Sequence, residues 1–86
     1  MNRLLRVACL GAGYFSQFHI DAWARIPEVK LVGIANRSVD KAERTGFPAF
    51  DSLQRLLEET APDILDIITP PQTHLEAIRA ALDHGI

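Results

Sequence analysis

The chain has 86 residues, 48% of them hydrophobic, and a formal net charge of -2. That fits one small domain or part of one, since typical domains run to ~100–200 residues. The nine Lys and Arg residues are scattered rather than clustered, which gives no electrostatic case for nucleic acid; no apolar run approaches the ~18 residues of a membrane span, and a single cysteine, Cys9, excludes an internal disulfide framework.

The basic and then apolar start is interrupted by Arg6, and Gly11-Ala12-Gly13 leads into a helical pattern rather than a cleavage site, so a cytoplasmic protein is expected. Residues 4–10 are apolar on both faces, as a central parallel strand requires. Cys9 lies within that strand and reads as a small buried hydrophobe rather than a reactive thiol. The spacing then predicts a helix over residues 14–25, with Phe15, Phe18, Ala22 and Ile26 as its core-facing stripe and Pro27 ending it. Residues 31–35 read as a second buried strand. Ser38 is placed to cap a short helix through Arg44, with Asp40 in its first turn and Gly46 beyond its end. Residues 47–50 form a brief edge strand, where Pro48 is tolerated. Asp51 with Gln54 makes a capping box for a third helix whose Leu53, Leu56 and Leu57 face inward. Residues 63–69 are a fourth strand, and Thr73 with Glu76 makes a second capping box. The last helix carries Leu75, Ile78 and Leu82 on one side and ends near Gly85. This β-α-β-α-β-α-β-α order predicts an α/β, Rossmann-like parallel sheet in the order 3-2-1-4 with flanking helices.

Gly11-Ala12-Gly13-Tyr14-Phe15-Ser16 matches G-x-G-x-x-G with Ser16 in the third place, where a small side chain substitutes at modest cost. The first glycine allows a tight turn, and the second lets backbone N–H groups approach a pyrophosphate unobstructed. The helix behind them offers unpaired donors and partial positive charge. An ordinary βα turn without a ligand is the plainer reading; the βαβ unit in register favours dinucleotide binding. Asn36 lies twenty residues after Ser16, where an acid would hydrogen-bond the ribose hydroxyls. Neutral Asn36 does not repel a 2′-phosphate, Arg37 can stack on adenine and pair with that phosphate, and Ser38 can donate to it. The pattern favours NADP over NAD, unless Arg37 is simply a solvated surface residue. Thr69-Pro70-Pro71 leaves the fourth strand beside the glycine turn, at the crevice where open α/β sheets bind ligands.

His19 reads as a packing or hydrogen-bonding residue. His74 serves either as a cofactor contact or as a local helix start, and His84 suits a helix C-terminus. No spacing suggests a metal site. Asp21, Glu28, Glu58, Glu59, Asp63 and Asp66 form no obvious catalytic pair, and most read as solvated faces or caps; the role of Trp23 stays open.

Taken together, Gly11-x-Gly13-x-x-Ser16-x-x-His19, Ala35-Asn36-Arg37, Pro62-Asp63-Ile64 and Thr69-Pro70-Pro71-x-x-His74 resemble the glucose–fructose oxidoreductase/inositol dehydrogenase family, often written Gfo/Idh/MocA. The resemblance covers essentially the whole chain. It implies a Rossmann domain binding NAD or NADP, with hydride transfer to or from a small-molecule sugar, cyclitol or related polyol. It places cofactor contacts on Gly11, Ala12, Gly13, Tyr14, Phe15, Asn36, Arg37, Ser38, Thr69, Pro70, Pro71 and His74. It also implies a following strand with a Glu-Lys-Pro motif and a separate substrate domain, neither of which lies within residues 1–86. The chain is therefore expected to be the N-terminal part of a dinucleotide-binding domain, inactive alone, in a homo-oligomeric parent. A dinucleotide-binding regulator with the same fold and no chemistry is the other reading. Residues 64–69 at an open sheet edge predict self-association of these 86 residues.

Overall fold

The axis of the sheet is β1 (Leu5–Leu10), whose Val7, Ala8 and Cys9 are fully buried, so both of its faces must be covered. The computed structural model describes residues 3–86. Parallel to β1 run β2 (Val29–Ala35) on one side and β4 (Ile64–Ile67) on the other, and β3 (Ala49–Phe50) pairs with the outer side of β2. The order is β3-β2-β1-β4, the 3-2-1-4 arrangement predicted from the alternation of elements. On one face α1 (Ser16–Ala24) and α2 (Val39–Glu43) place Ile20 and Ala42 against Val7, Cys9, Leu31 and Ile34. On the other, α3 (Leu53–Thr60) packs Leu56 against Ala8, Val32 and Ala35, and α4 (His74–Asp83) lies beside α3 and β4.

Small residues set the closest approaches. The β1–β2 register shifts between Val7 and Ala8, so that Ala8 faces Gly33. A Cβ at Gly33 would stand 2.7 Å from Phe50 Cε2 and 2.8 Å from Leu56 Cδ1, so only a glycine lets β3 and α3 close over the strand in this packing. At the opposite end of the sheet, Asp63 accepts from the Arg6 backbone N–H at 2.8 Å and from Arg3 Nη2 at 2.6 Å. The Arg6 guanidinium in turn donates to the Thr60 carbonyl at 2.5 and 3.2 Å, satisfying one of the orphan acceptors at the end of α3. The Asp63 carboxyl is held below its ordinary value, first by the Arg6 N–H and then by Arg3.

The helix faces differ from the sequence expectation. α1 starts at Ser16, not Tyr14, and its inward face is Ser16, Ile20 and the half-buried Trp23. Phe15, Phe18, Ala22 and Ile26 are exposed. The stripe is rotated by one residue because Ser16, 1% exposed, takes the buried position at the start of the helix. The rings of Tyr14, Phe15 and Phe18 instead meet edge-on at 5.5 and 5.6 Å. α4 likewise buries Ala77 and Ala81 and exposes Leu75, Ile78 and Leu82.

Two caps also move. α3 is capped by Ser52, whose Oγ accepts from Arg55 N at 3.2 Å, while Asp51 makes only a longer contact with Arg55, 3.8 Å. Thr73 makes no capping bond to α4, because a 3-10 turn (Pro71–Thr73) precedes the helix and the Thr73 hydroxyl donates back to the Pro70 carbonyl at 2.8 Å. Ser38 occupies the N-cap position of α2 without a side-chain bond. β2 begins earlier than predicted, at Val29, and β4 is shorter, since Asp63 is engaged with Arg3 and Arg6.

Candidate functional site

Three chain segments meet at the carboxyl ends of β1, β2 and β4, and backbone hydrogen bonds pin them. Gly11 N donates to the Ala35 carbonyl at 2.7 Å, and Ile68 N donates to the Leu10 carbonyl at 2.8 Å. Gly11 has φ +115, and a Cβ there would lie 3.2 Å from the Ile68 carbonyl carbon. Its glycine is therefore required by the protein itself. Gly13 is different: a Cβ there would have no atom within 4 Å, so nothing in the packing demands a glycine. Ala12 N is engaged by Asn36 Oδ1 at 3.0 Å. The N–H groups of Gly13, Tyr14 and Phe15 have no partner among the described residues and open onto solvent ahead of α1.

The Asn36 amide is spent at both ends, since Nδ2 donates to the Ser38 carbonyl at 3.0 Å. It ties the glycine turn to the turn that starts α2. On the β4 side, Thr69 Oγ1 lies 2.6 Å from Thr73 Oγ1. The single Thr73 hydroxyl proton is used on the Pro70 carbonyl, so Thr69 is the donor in that pair and presents only lone pairs elsewhere. His74 Nε2 donates to the Thr69 carbonyl at 2.6 Å, which fixes the ring's tautomer and stiffens the loop.

Between these walls opens a cleft of about 710 Å3. Leu10, Asn36, Arg37, Thr69 and Pro70 line it from the strand ends, with α3 contributing Leu53 and Gln54 and α4 contributing Ala77 and Ala80. A second hollow of about 380 Å3 lies on the α1–α2 side of the glycine turn, where Ala12, Gly13 and Tyr14 meet Gln17, Lys41 and Arg44. Of the residues singled out from sequence, Phe15, Ser38, Pro71 and His74 line neither space, and Gly11 is buried beneath them. Lys41, Arg44 and the small residues of α4 were missed; the i,i+3 spacing of the two cations was the available signal.

Asp66 is the other surprise. Rather than a solvated acid it is a hub on β4, accepting from Trp23 Nε1 at 2.9 Å and from His19 Nδ1 at 2.8 Å, which braces α1 against the strand. Burial, and then the Asp66 charge, push the Cys9 thiol up to about 12. Among the described residues no group of side chains is arranged to hold a metal, and no helix is long and apolar enough to cross a membrane.

Known proteins resemble this chain in sequence and fold. UDP-N-acetylglucosamine 3-dehydrogenase from Acidithiobacillus ferrooxidans is 30% identical over 86 residues, covering 95% of this chain and 26% of that protein. A 3-ketoreductase from Actinomadura kijaniata, solved with TDP-benzene and NADP, superposes with a TM-score of 0.89 at 26% identity over 96% of this chain and 28% of its own. The WlbA dehydrogenase from Bordetella pertussis, solved with NADH and UDP-GlcNAcA, gives a TM-score of 0.88 at 27% identity, covering 96% of this chain and 27% of that one. The chain thus spans about a quarter of the length of such relatives. Residues 5–86 match the sequence model of Gfo/Idh/MocA, the oxidoreductase family with an NAD-binding Rossmann fold, and the chain belongs to that family.

Proposed function

We propose that this chain is the N-terminal part of the dinucleotide-binding domain of an NADP-dependent oxidoreductase acting on a sugar, cyclitol or related alcohol. The observation that carries the reading is the contrast at the glycine turn. Gly13 has no packing reason to be a glycine, yet here and at the two residues that follow, the N–H groups ahead of α1 have no partner among the described residues, and an anion there is favoured by both hydrogen bonding and the helix dipole. The residues present fit a dinucleotide. Gly13, Tyr14 and Phe15 offer backbone donors to a diphosphate, and Ala12 and Gly11 shape the turn. Asn36 and Arg37 form the adenosine end, followed by Ser38; Thr69 and Pro70 form the wall toward the nicotinamide, with Pro71 and His74 bracing that loop rather than lining the cleft. When bound, the nicotinamide ring supplies or accepts the hydride. The chain's own part is to fix that ring's neighbours: the His74–Thr69 bond and the two prolines hold the loop rigid, and Thr69 lines the cleft with its hydroxyl proton already engaged by Thr73.

The relatives' names support a sugar-type substrate, and Asn36 in place of an acid supports NADP over NAD. The exposed Tyr14, Phe15 and Phe18 cluster and the exposed Leu75, Ile78 and Leu82 face support a homo-oligomeric parent, since grouped apolar surface marks interaction sites. A cytoplasmic location accords with a lone, buried cysteine. Calorimetric titration with NADPH and NADH tests the reading: saturable binding at one site is expected, and no binding of either nucleotide overturns it. Nicotinamide oxidation by the full-length parent with a panel of keto-sugars and keto-cyclitols then separates an enzyme from a sensor.

A further inference from the structure

The outer side of α1 carries a continuous apolar stripe that this fold leaves uncovered. Ser16, Ile20 and Trp23 turn toward the sheet, so Phe15, Phe18, Ala22 and Ile26, three or four positions apart, share the other side of the helix. Phe15 is 72% exposed, Phe18 55% and Ile26 39%, and Ala22 is exposed with them. The flanks of the helix are engaged within the molecule. His19 bonds Asp66 of β4 on one side, and Gln17 lines the hollow toward α2 on the other. The stripe therefore points outward between them. α3 and α4 lie across the sheet from α1, and a right-handed crossover that extends the sheet past β4 adds its helix to that same far face. The winding of the sheet thus offers the stripe no cover, and grouped apolar surface of this kind marks an interaction site.

The stripe is nearly palindromic about Ala22, with Phe18 one turn before it and Ile26 one turn after. Asp21 and Arg25 lie on one flank of the stripe, both exposed, and neither is in an ion pair among the described residues. A two-fold axis brings a residue i against j and the same j against i, and it keeps a given flank on the same side in both copies. Resting on the homo-oligomer reading above, we propose that the outer face of α1 docks on α1 of a second copy of this chain, antiparallel, with Ala22 at the crossing point. Phe18 then meets the second copy's Ile26, and the reverse. Asp21 comes beside the second copy's Arg25, so two ion pairs form from four charges that are unpaired within one chain. The small side chain at the crossing lets the helix axes approach to ~8 Å, the close end of the usual range. Two helices of this length bury less than the ~1,200 Å2 of a standard interface, so the dimer is of the weak, concentration-dependent kind.

The test is oxidative cross-linking of Ala22→Cys, a substitution at an exposed position. Two cysteines facing each other across the axis fall within the ~4.4–6.8 Å Cα separation that a disulfide needs, and the native Cys9 is buried. A covalent dimer on a non-reducing gel is expected for Ala22→Cys and none for Glu58→Cys on α3. Adding Phe18→Asp to Ala22→Cys should reduce the cross-link at least tenfold, with circular dichroism melting to confirm that the chain is folded. In sedimentation equilibrium Asp21→Arg or Arg25→Asp alone should weaken the dimer by roughly fivefold, the worth of an exposed pair made twice, and the two together should restore it. A scattering dimer in which Ala22→Cys does not cross-link, or a charge-swapped pair no better than either single variant, overturns the docking of α1 and leaves self-association through another surface standing. A strict monomer at all concentrations removes the homo-oligomer reading and this one with it.

Discussion

Replacing Gly11 and Gly13 by alanine, one at a time, separates what the fold needs from what a ligand needs. At Gly11 the backbone φ of +115 lies where an L-residue is strained by ~1–3 kcal/mol. The new methyl would also press to 3.2 Å on the Ile68 carbonyl carbon, a backbone atom that cannot rotate away, and overpacking of that kind costs about 1–3 kcal/mol. A total of about 3 kcal/mol is reasonable from these two contributions, and for a domain of this size each kcal/mol lowers Tm by ~4–8 °C. Gly11→Ala should therefore melt at least ~12 °C below the wild type. At Gly13 the φ is not positive and no atom lies within 4 Å of a Cβ. Alanine there should leave Tm unchanged or raise it, since loss of glycine freedom in the unfolded chain is worth about 0.4–1 kcal/mol. The same methyl would be carried on the residue whose own N–H and whose neighbour Tyr14's N–H are proposed to meet the diphosphate, so NADP affinity should fall by about tenfold or more, which is ~1.4 kcal/mol. Melting by circular dichroism and calorimetric titration read the two quantities separately. If Gly13→Ala destabilises the fold as Gly11→Ala does, or binds NADP like the wild type, the assignment of the second glycine to a ligand is wrong.

Four further outcomes are expected. Asp66→Ala should cost about 1–3 kcal/mol by stranding the Trp23 N–H and should shift the emission of Trp23, the sole tryptophan; unchanged emission and unchanged stability would refute the brace. Because the folded Asp63 pKa is lowered, its contribution is present above the ordinary value of 3.8 and is lost as pH falls through the folded value. Acid melts of Asp63→Asn should accordingly lose part of the pH dependence that the wild type shows below about pH 4, and identical profiles would count against the Arg3–Arg6–Asp63 cluster. Cys9, with its thiol pushed up to about 12, should react with a disulfide reagent only on unfolding, and stoichiometric labelling of native protein within minutes would contradict its burial. Light scattering should show these 86 residues self-associating through the open side of β4 and the exposed face of α4; a strict monomer at calorimetric concentrations speaks against this.

The architecture was legible in the sequence because the two central strands of this sheet, β1 and β2, are covered on both faces. Val7-Ala8-Cys9 and Leu31-Val32-Gly33-Ile34-Ala35 must be apolar on both faces, and their shortness and flanking turn residues separate them from buried helix segments. The glycine turn was legible for the same reason, as it breaks that pattern abruptly. Helix faces were not. Counting apolar residues at helical spacing chose Phe15, Phe18 and Leu75, Ile78, whereas close packing on a flat sheet selected Ser16 and Ala77 for their size. The site was legible in its backbone and opaque in its side chains. That Asn36 spends its amide on Ala12 and Ser38, or that Asp66 gathers Trp23 and His19 from another element, depends on three-dimensional proximity across 24 and 43 to 47 positions of sequence, which no local pattern records.

The doubly committed amide of Asn36 bears on any effort to redesign the nucleotide choice of this protein. Aspartate, the obvious replacement for recruiting the unphosphorylated nucleotide, keeps an acceptor for Ala12 but has no donor for the Ser38 carbonyl, and it sets two oxygens against each other. Any change of charge at this position therefore also removes a tether of α2, which an engineer must replace in the same step.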